Sequence, residues 1–287
     1  MTTTLKQAFL EKYPRNGKIC EMYESAIGAS MDWNTITKAN LAKVVSYLQE
    51  RVAASSVRQY CAKMKAVINL YSDQIDLPTG WEKVLSTKND VSESTYLDEE
   101  EINRIIEYRP DTLTEAIVQQ QFILGALTGA RHSDFQRFTE QNIYGDRLVY
   151  VSQKTHVRAE VPLSPIVQRL LQTGLLRDGE RFPFAFRGDV CDRTFNETIR
   201  HICQMCDICE TIKLYKKGKE CTGEKWQFVS SHTCRKSAVT NMYKRCHDLY
   251  IISKIVGHSS VSQTEKYVCV GLEDIPHEVM EYFTTFK

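Results

Sequence analysis

The sequence has no apolar run long enough to cross a membrane. Its longest apolar stretch, Phe122 to Ala130, is interrupted by Thr128 and Gly129, whereas a membrane-spanning helix needs about 20 apolar residues. The first residues lack the apolar core of a secretory signal peptide. The sequence also contains no internal repeat and no low-complexity tract. It therefore predicts a cytoplasmic protein that does not associate with a membrane.

The sequence also has almost no excess of one charge. Its 37 Lys and Arg residues balance 36 Asp and Glu residues, giving a net charge of +1, whereas many nucleic-acid-binding domains are strongly basic. The average conceals a local cluster in which six cations face one acid, Glu50. The cations of this basic cluster are Lys38, Lys43, Arg51, Arg58, Lys63 and Lys65. We predict that these six cations contact DNA phosphates. A second excess of cations, between residues 213 and 245, is expected to do the same.

Ten cysteines do not indicate disulfides here, because the chain is large and has no export signal. Five residues have a spacing that could suit a metal: His201, Cys203, Cys206, Cys209 and Cys221. The alternative is that Cys203 and Cys206 lie, together with Ile202 and Met205, on one buried face of a helix. Since buried cysteine behaves as a small hydrophobic residue, we predict no metal and no cofactor.

Apolar periodicity predicts four short helices in the first 72 residues. Thr37 is the expected cap of the third, and Ser55 or Ser56 that of the fourth. We interpret residues 1–75 as a helical bundle. Residues 76–96 contain a turn signal at 78–80 and a polar stretch over 86–95 without an apolar period, and are interpreted as a linker.

Residues 97–287 mix helices with a few strands. Asp98 caps a helix whose acidic first turn, Glu99 to Glu101, suits the helix dipole better than a metal. A long helix over about 114–128 ends at Gly129, and a hairpin joins 148–152 to 157–163. A second hairpin over 211–229 and a last helix over 275–286 complete the prediction. The expected fold is mainly α with a small antiparallel β-sheet, in the α+β class.

Four short patterns carry candidate chemistry, in a fixed order along the chain. The first is Leu-Thr-Gly-Ala-Arg, which ends at Arg131, and the second is Lys154 in the turn of the first hairpin. The third is His232-x-x-Arg235, whose two side chains share one helix face. The fourth is Gly-His at His258, followed nine residues later by Tyr267.

Together these patterns resemble the tyrosine recombinases, the phage integrase family, over nearly the whole chain. The resemblance implies a SAM-like core-binding domain in residues 1–75 and a catalytic domain from residue 97. Six catalytic residues are implied: Arg131, Lys154, His232, Arg235, His258 and the nucleophile Tyr267. Arg158 lies on the same hairpin as Lys154 and leaves that assignment open. Asp134 stands where the family usually has glutamate.

The residue types suit the cleavage of a DNA phosphodiester without a metal. Arginine presents a fork of donors to two phosphate oxygens, so Arg131 and Arg235 are the expected clamp, with His258 as a further donor. A free tyrosine, with a pKa of about 10, is only ~0.1% ionised near pH 7, and neighbouring cations lower that cost. Lys154 is the expected acid for the departing 5′-oxygen, assisted by His232.

The resemblance implies an integrase of a mobile element that acts as a tetramer on duplex DNA with inverted repeats. An accessory DNA-bending protein is compatible with this reading, and the start of the chain at the core-binding helices predicts an architecture without an arm-binding domain. Alternatives within the family are a chromosome-dimer resolvase and a DNA invertase. A catalytically silent DNA-binding regulator and a topoisomerase-like nicking–closing enzyme are the rivals. Whether the last helix docks on its own protomer or on a neighbour stays open.

Overall fold

The computed structural model describes residues 3–87, 92–216 and 219–271. They form two compact units, one within residues 1–92 and 215–220, the other within 93–214 and 221–287. The fold is mainly α with small antiparallel sheets, which confirms the predicted class. No helix in these described ranges combines the length and apolar character required to cross a bilayer. The helix predicted over 275–286 lies outside them.

The described residues of the first unit form five α-helices around one core. They are α1 (Leu5–Lys12), α2 (Gly17–Ile27), α3 (Lys38–Arg51), α4 (Ala54–Leu70) and α5 (Trp81–Val84). Thr37 caps α3 as predicted, with its side chain accepting from the backbone N–H of Asn40. α4 begins earlier than predicted, with Ala53 at the N-cap in place of Ser55 or Ser56. The Ala53 carbonyl accepts from the N–H groups of Ser56 and Val57, so the backbone alone starts this helix.

Part of the segment predicted as a linker packs into the first unit. α5 lies within residues 76–96, and Trp81 and Leu85 are buried in the core of the bundle. A helix of four residues is too short to show a period in the sequence. The first unit therefore extends beyond residue 75, while the functional boundaries at 75 and 97 stay predictions.

The second unit surrounds a central buried helix. Its helices are α6 (Glu99–Glu107), α7 (Leu113–Thr128), α8 (His132–Phe135), α9 (Pro165–Thr173), α10 (Asp192–Met205), α11 (Ser231–Cys246), α12 (Leu249–Ile255) and α13 (Val261–Glu265). α7 is buried on nearly every side, including its three consecutive glutamines, Gln119 to Gln121. Its buried Gln119 amide donates to the carbonyls of Ile105 and Tyr108, both at 2.7 Å.

Two small sheets accompany these helices. β1 (Ile143–Tyr144), β2 (Arg147–Val151) and β3 (Arg158–Pro162) form an antiparallel sheet in that order. Tyr150 pairs with Ala159 across the predicted hairpin. β4 (Thr211–Lys216) and β5 (Lys219–Glu224) pair within the second predicted hairpin, whose last residues form a short 3-10 turn at Lys225–Phe228. β1 has only two residues, too few for the alternation that predicts a strand.

The acidic first turn of α6 is used for capping and ion pairing. Asp98 and Glu101 form a reciprocal capping box, and Glu101 also receives a hydrogen bond from the buried Lys225 ammonium at 2.7 Å. Glu99 pairs with Arg245 at 2.6 Å. These contacts agree with the interpretation that the acidic side chains stabilise the positive N-terminal end of α6.

Gly129 ends α7 in a position that no other residue fits. Its φ is +64°, and an added Cβ would lie 2.7 Å from Val256 Cγ1. We expect Gly129→Ala to lower the free energy of unfolding by about 2–4 kcal/mol, from left-handed strain and overpacking together. Gly145, with φ +60° and open space where a Cβ would stand, is the matched control. Gly145→Ala should cost only about 1 kcal/mol, and equal losses in denaturant titrations would contradict this account.

Candidate active site

Arg131 lies just beyond the C-terminal end of α7, where the chain turns at Gly129. It is the N-cap residue of α8 and is half-buried. Its Nη1 donates to Ser152 Oγ at 3.0 Å, and that hydroxyl donates to Asp134 Oδ2, also at 3.0 Å. Asp134 accepts a second bond from the Gln153 N–H at 2.8 Å. Arg131 is therefore tethered to the hairpin and to α8 without a direct contact to the carboxylate.

Arg235 extends from α11 into the protein and is only 2% exposed. Its guanidinium donates to the carbonyl of Gly129 and, at 3.0 Å, to that of Val256. These bonds join α11 to the ends of α7 and α12. Burial, followed by the nearby positive charge of Arg131, lowers the pKa of Arg235. Its Nε is buried and has no hydrogen-bond partner in the described structure.

Close packing of α7 on α11 sets the depth of Arg235. A Cβ at Gly125 would collide with the Cys234 thiol and lie 2.9 Å from Phe135 Cε1. Cys234 is buried, which raises the pKa of its thiol to about 12. The residue beside the arginine therefore acts as a small apolar spacer.

His258 follows α12 and Gly257, whose φ is +63°. Its Nδ1 lies 2.9 Å from Thr264 Oγ1, while its Nε2 is buried and has no partner among the described residues. The ring is 6% exposed. Burial, with the charges of Arg235 and Arg131 as further causes, lowers the pKa of His258 to about 3. The imidazole is thus neutral at pH 7.

Tyr267 lies just beyond α13 and is half-buried. Its ring centroid is 5.0 Å from that of His258 and 5.3 Å from Arg235 Cζ. Lys236 Nζ is 6.0 Å from the same centroid. The Thr240 hydroxyl donates to the Tyr267 carbonyl at 3.3 Å. The phenol ring is therefore held among three groups that are cationic or can donate a hydrogen bond.

His232 and Lys154 lie nearer the surface and are both exposed. Partial desolvation lowers the pKa of His232, and the charge of Lys154 adds to this effect. Lys154 occupies the turn between β2 and β3 and forms no hydrogen bond or ion pair within the described residues. Its rival Arg158 pairs with Glu160 at 3.0 Å. The lysine is thus the more available of the two cations.

Arg131, Arg235, His258 and Tyr267 form a cluster in which, within the described ranges, neither guanidinium is paired directly with a carboxylate. The lowered pKa of Arg235 and His258 reflects burial together with this accumulation of positive charge. A phosphate placed against both guanidinium groups would relieve the repulsion and accept their donors. The cluster is therefore suited to hold an anion beside a phenol.

Sequence reasoning missed the residues that support this cluster. Ser152 and Thr264 are buried beside Arg131 and His258, and no sequence pattern marks either. Tyr150 is also buried here, which raises its pKa to about 12 despite the opposing charge of Arg235. His132, for which a solvated or capping role is expected, is half-buried. Its Nε2 lies 3.2 Å from Gln121 Oε1 and its ring meets Phe195 edge-on.

Part of the cysteine-rich segment packs in the hydrophobic core. Cys203 and Cys206 are buried in α10 and at its end, and burial raises the pKa of both thiols, for Cys206 to about 11. Met205 is 60% exposed, so its predicted place in the stripe is wrong. It lies about 100° around the helix from the centre of that stripe. In the part of the chain that is described, no three His, Cys, Asp or Glu residues are grouped to hold a metal.

The basic cluster of the first unit divides into available and engaged cations. Lys38, Lys43 and Arg58 are exposed and form no ion pair in the described structure. Arg51 pairs with Glu50 at 2.9 Å and lies over the Tyr47 ring. The two remaining lysines are half-buried: Lys63 donates to Asn16 Oδ1 and Lys65 to Ser86 Oγ. Their predicted contact with DNA stays a prediction.

The lowered pKa of His258 has a consequence for acid stability. An unfolded histidine has a pKa of about 6.5, so the unfolded chain binds a proton between pH 6.5 and 3 that the folded chain does not. The stabilising effect of a neutral His258 is complete above pH 6.5 and declines as the pH falls. We expect the unfolding free energy to lose about 2 kcal/mol through this residue between pH 8 and pH 5.

His258→Asn keeps a polar group near Thr264 and removes the titration. Denaturant titrations of both proteins at pH 8 and pH 5 measure the difference, because the contributions of His132 and His232 are common to them. The variant should lose less stability on acidification than the parent chain. Parallel pH profiles would contradict a buried neutral His258.

Comparison with known proteins supplies the family. Residues 95–271 match the model of the phage integrase family, which is more than half of the chain. Among curated proteins no sequence is similar enough to count as a relative. The XerH site-specific recombinase bound to a palindromic difH substrate aligns at a TM-score of 0.62 and 14% identity, covering 90% of this chain and 76% of that one.

Two integrases have the same fold. The Tn1549 transposon integrase in complex with a circular intermediate DNA aligns at a TM-score of 0.64 and 11% identity, covering 98% of this chain and 100% of that one. The lambda integrase tetramer bound to a Holliday junction aligns at 0.57 and 15% identity, covering 91% and 75%. The match to the family model, on a fold that these recombinases share, shows that the chain belongs to the phage integrase family and is a tyrosine recombinase.

Proposed function

We propose that the protein is a site-specific DNA recombinase that cuts and rejoins DNA through a phosphotyrosine at Tyr267. The observation that carries this proposal is the pair Arg131 and Arg235, neither of which is paired directly with a carboxylate in the described structure, with Arg235 beside the Tyr267 ring. Two guanidinium groups without carboxylate partners form an anion site, and the phenol 5.3 Å from Arg235 is the nucleophile that the anion would meet. Phosphoryl transfer needs mainly this kind of positioning and charge stabilisation.

The cleavage step balances with groups of this chain alone. The Tyr267 oxygen attacks the scissile phosphorus, and the bond from phosphorus to the 5′-oxygen breaks. Lys154 gives its proton to that oxygen, leaving a 5′-hydroxyl, while the neutral imidazole of His232 accepts the phenolic proton. Arg131, Arg235 and His258 donate to the non-bridging oxygens. Attack of a 5′-hydroxyl from another strand reverses these steps, so rejoining requires no ATP.

Side-chain hydrogen-bond donors take the place that a metal ion holds in many nucleases. A metal would neutralise the developing phosphate charge, and here two arginines and a histidine face the same task. We therefore propose that cleavage proceeds without a metal or cofactor. The buried thiols of Cys203 and Cys206 are core residues in this account.

The biological role that we propose is integration and excision of a mobile element in the cytoplasm. Support comes from the transposon integrase with its circular intermediate DNA, and the lambda tetramer on a Holliday junction supports assembly of four protomers on inverted repeats. The likeness to XerH on a palindromic difH substrate favours a second candidate, a chromosome-dimer resolvase. Inverted repeats beside the gene of a mobile element would support the integrase. Inverted repeats at a single chromosomal locus would support the resolvase.

The experiment that tests the activity is covalent capture from a DNA pool. The full chain is incubated, in excess EDTA, with nicked duplexes whose two arms carry randomised sequence. Duplexes that remain attached after denaturation are recovered and sequenced. We expect one inverted-repeat sequence to be enriched, with attachment at a 3′-phosphate. Absence of a covalent product, or a product that requires a divalent metal, would contradict the proposal.

A further inference from the structure

Ser152 occupies a junction between the two elements that carry Arg131 and Lys154. It follows β2 directly and is 1% exposed. Its single hydroxyl proton is given to Asp134 Oδ2, so that its lone pairs face the Arg131 guanidinium, each contact measuring 3.0 Å. The orientation of this hydroxyl is thus fixed from both sides.

The backbone of Ser152 holds the turn that presents Lys154. Its N–H donates to the Val157 carbonyl at 2.9 Å, and its own carbonyl accepts from the His156 N–H at 2.8 Å. The next N–H, that of Gln153, is bound by Asp134 at 2.8 Å. Both ends of the turn are therefore fixed, and Asp134 anchors its first residue to α8.

The hydroxyl also separates a cation from an anion. A direct bond between Asp134 and Arg131 would be a charge-assisted pair, and such a pair would compete with a phosphate for the same donors. With Ser152 between them, Arg131 is oriented by a neutral oxygen and keeps its charge for another anion. The shorter aspartate leaves room for that hydroxyl, whereas a glutamate is one methylene longer.

We propose that Ser152 is a positioning residue for DNA cleavage, which orients Arg131 toward the scissile phosphate through its hydroxyl. The proposal rests on the function proposed above. Ser152→Ala removes the hydroxyl and leaves the backbone bonds of the turn in place. We expect it to lower the rate of covalent adduct formation by about 10- to 100-fold, as expected for a misdirected phosphate ligand. Affinity for the DNA should change by less than about threefold, since the remaining phosphate contacts are intact.

The measurement uses single-turnover cleavage of the duplex selected by covalent capture. Ser253→Ala is the matched control, because Ser253 is equally buried and its hydroxyl donates within its own helix to the Tyr250 carbonyl at 2.7 Å. This control should cleave at the parental rate. Ser152→Thr retains the hydroxyl and should recover most of the lost rate. Parental cleavage by Ser152→Ala would overturn the proposal.

Combining Ser152→Ala with Arg131→Lys distinguishes the positioning of Arg131 from a general loss of structure. Arg131→Lys keeps the positive charge but removes the planar guanidinium group that Ser152 orients. Adding Ser152→Ala to Arg131→Lys should therefore change the rate by less than about threefold, because residues that act through one another are not additive. The same 10- to 100-fold loss in both backgrounds would overturn the proposal. If the parent chain itself formed no adduct, the proposed function would fail instead, which is a distinct result.

Discussion

Tyr267→Phe is expected to form no covalent complex with DNA while still binding it. The substitution removes only the phenolic oxygen, and the ring keeps its place beside His258 and Arg235. Since the nucleophile forms the bond in question, the loss should be complete. DNA affinity should stay within about threefold, because phosphate contacts from other residues fix the protein on the duplex.

Tyr243→Phe provides the matched control for this result. Tyr243 and Tyr267 pack on the same small apolar cluster of Val239, Ile252 and Val256, so both variants lose one hydroxyl at a similar depth. The control should yield the parental amount of adduct on a denaturing gel. A persistent protein–DNA band from Tyr267→Phe would refute the nucleophile assignment.

Arg235→Lys is expected to have the second-largest effect, although it retains the positive charge. An ammonium group cannot satisfy the Gly129 and Val256 carbonyls and a phosphate with the planar geometry of a guanidinium. Cleavage should fall by about 10²- to 10³-fold, as for the loss of one transition-state donor. The free energy of unfolding should fall by about 1–3 kcal/mol, because a buried carbonyl loses its partner.

The control for this variant is Arg245→Lys in the same helix. Arg245 is exposed and pairs with Glu99 on the surface, where ion pairs contribute about 1 kcal/mol or less. It should leave cleavage unchanged and shift the unfolding midpoint only slightly. Equal effects of the two lysine substitutions on adduct formation would contradict a clamp at Arg235.

The sequence indicates the candidate reacting groups, whereas the residues that support them are found only in the structure. Arg131, His258 and Tyr267 are candidates because short motifs around them resemble those of the tyrosine recombinases, and local pattern also predicts the helix end at Gly129 beside Arg131. Ser152 and Thr264 support them through bonds between segments that no periodicity relates. The dependence of one side chain on another from a distant element is a property of packing, which local sequence does not encode.

The errors in the predicted fold have a similar origin. α5 escapes detection because one helical turn has no period, although Trp81 is buried in the bundle. The apolar pattern places Met205 in a buried stripe with Ile202 and Cys203, yet its side chain points about 100° away from the centre of that stripe. Where an element is long, as in α7, its predicted and observed bounds differ by one residue.

Mass spectrometry of the trapped complex identifies the residue that becomes joined to DNA, which we propose is Tyr267. The adduct is digested with trypsin and nuclease, and cleavage after Lys266 releases a peptide that begins at Tyr267 and also contains Tyr282. Fragment spectra therefore have to assign the modified tyrosine. We expect a nucleotide phosphate on Tyr267. Attachment at any other residue, or cleaved DNA with no attached peptide, would contradict it.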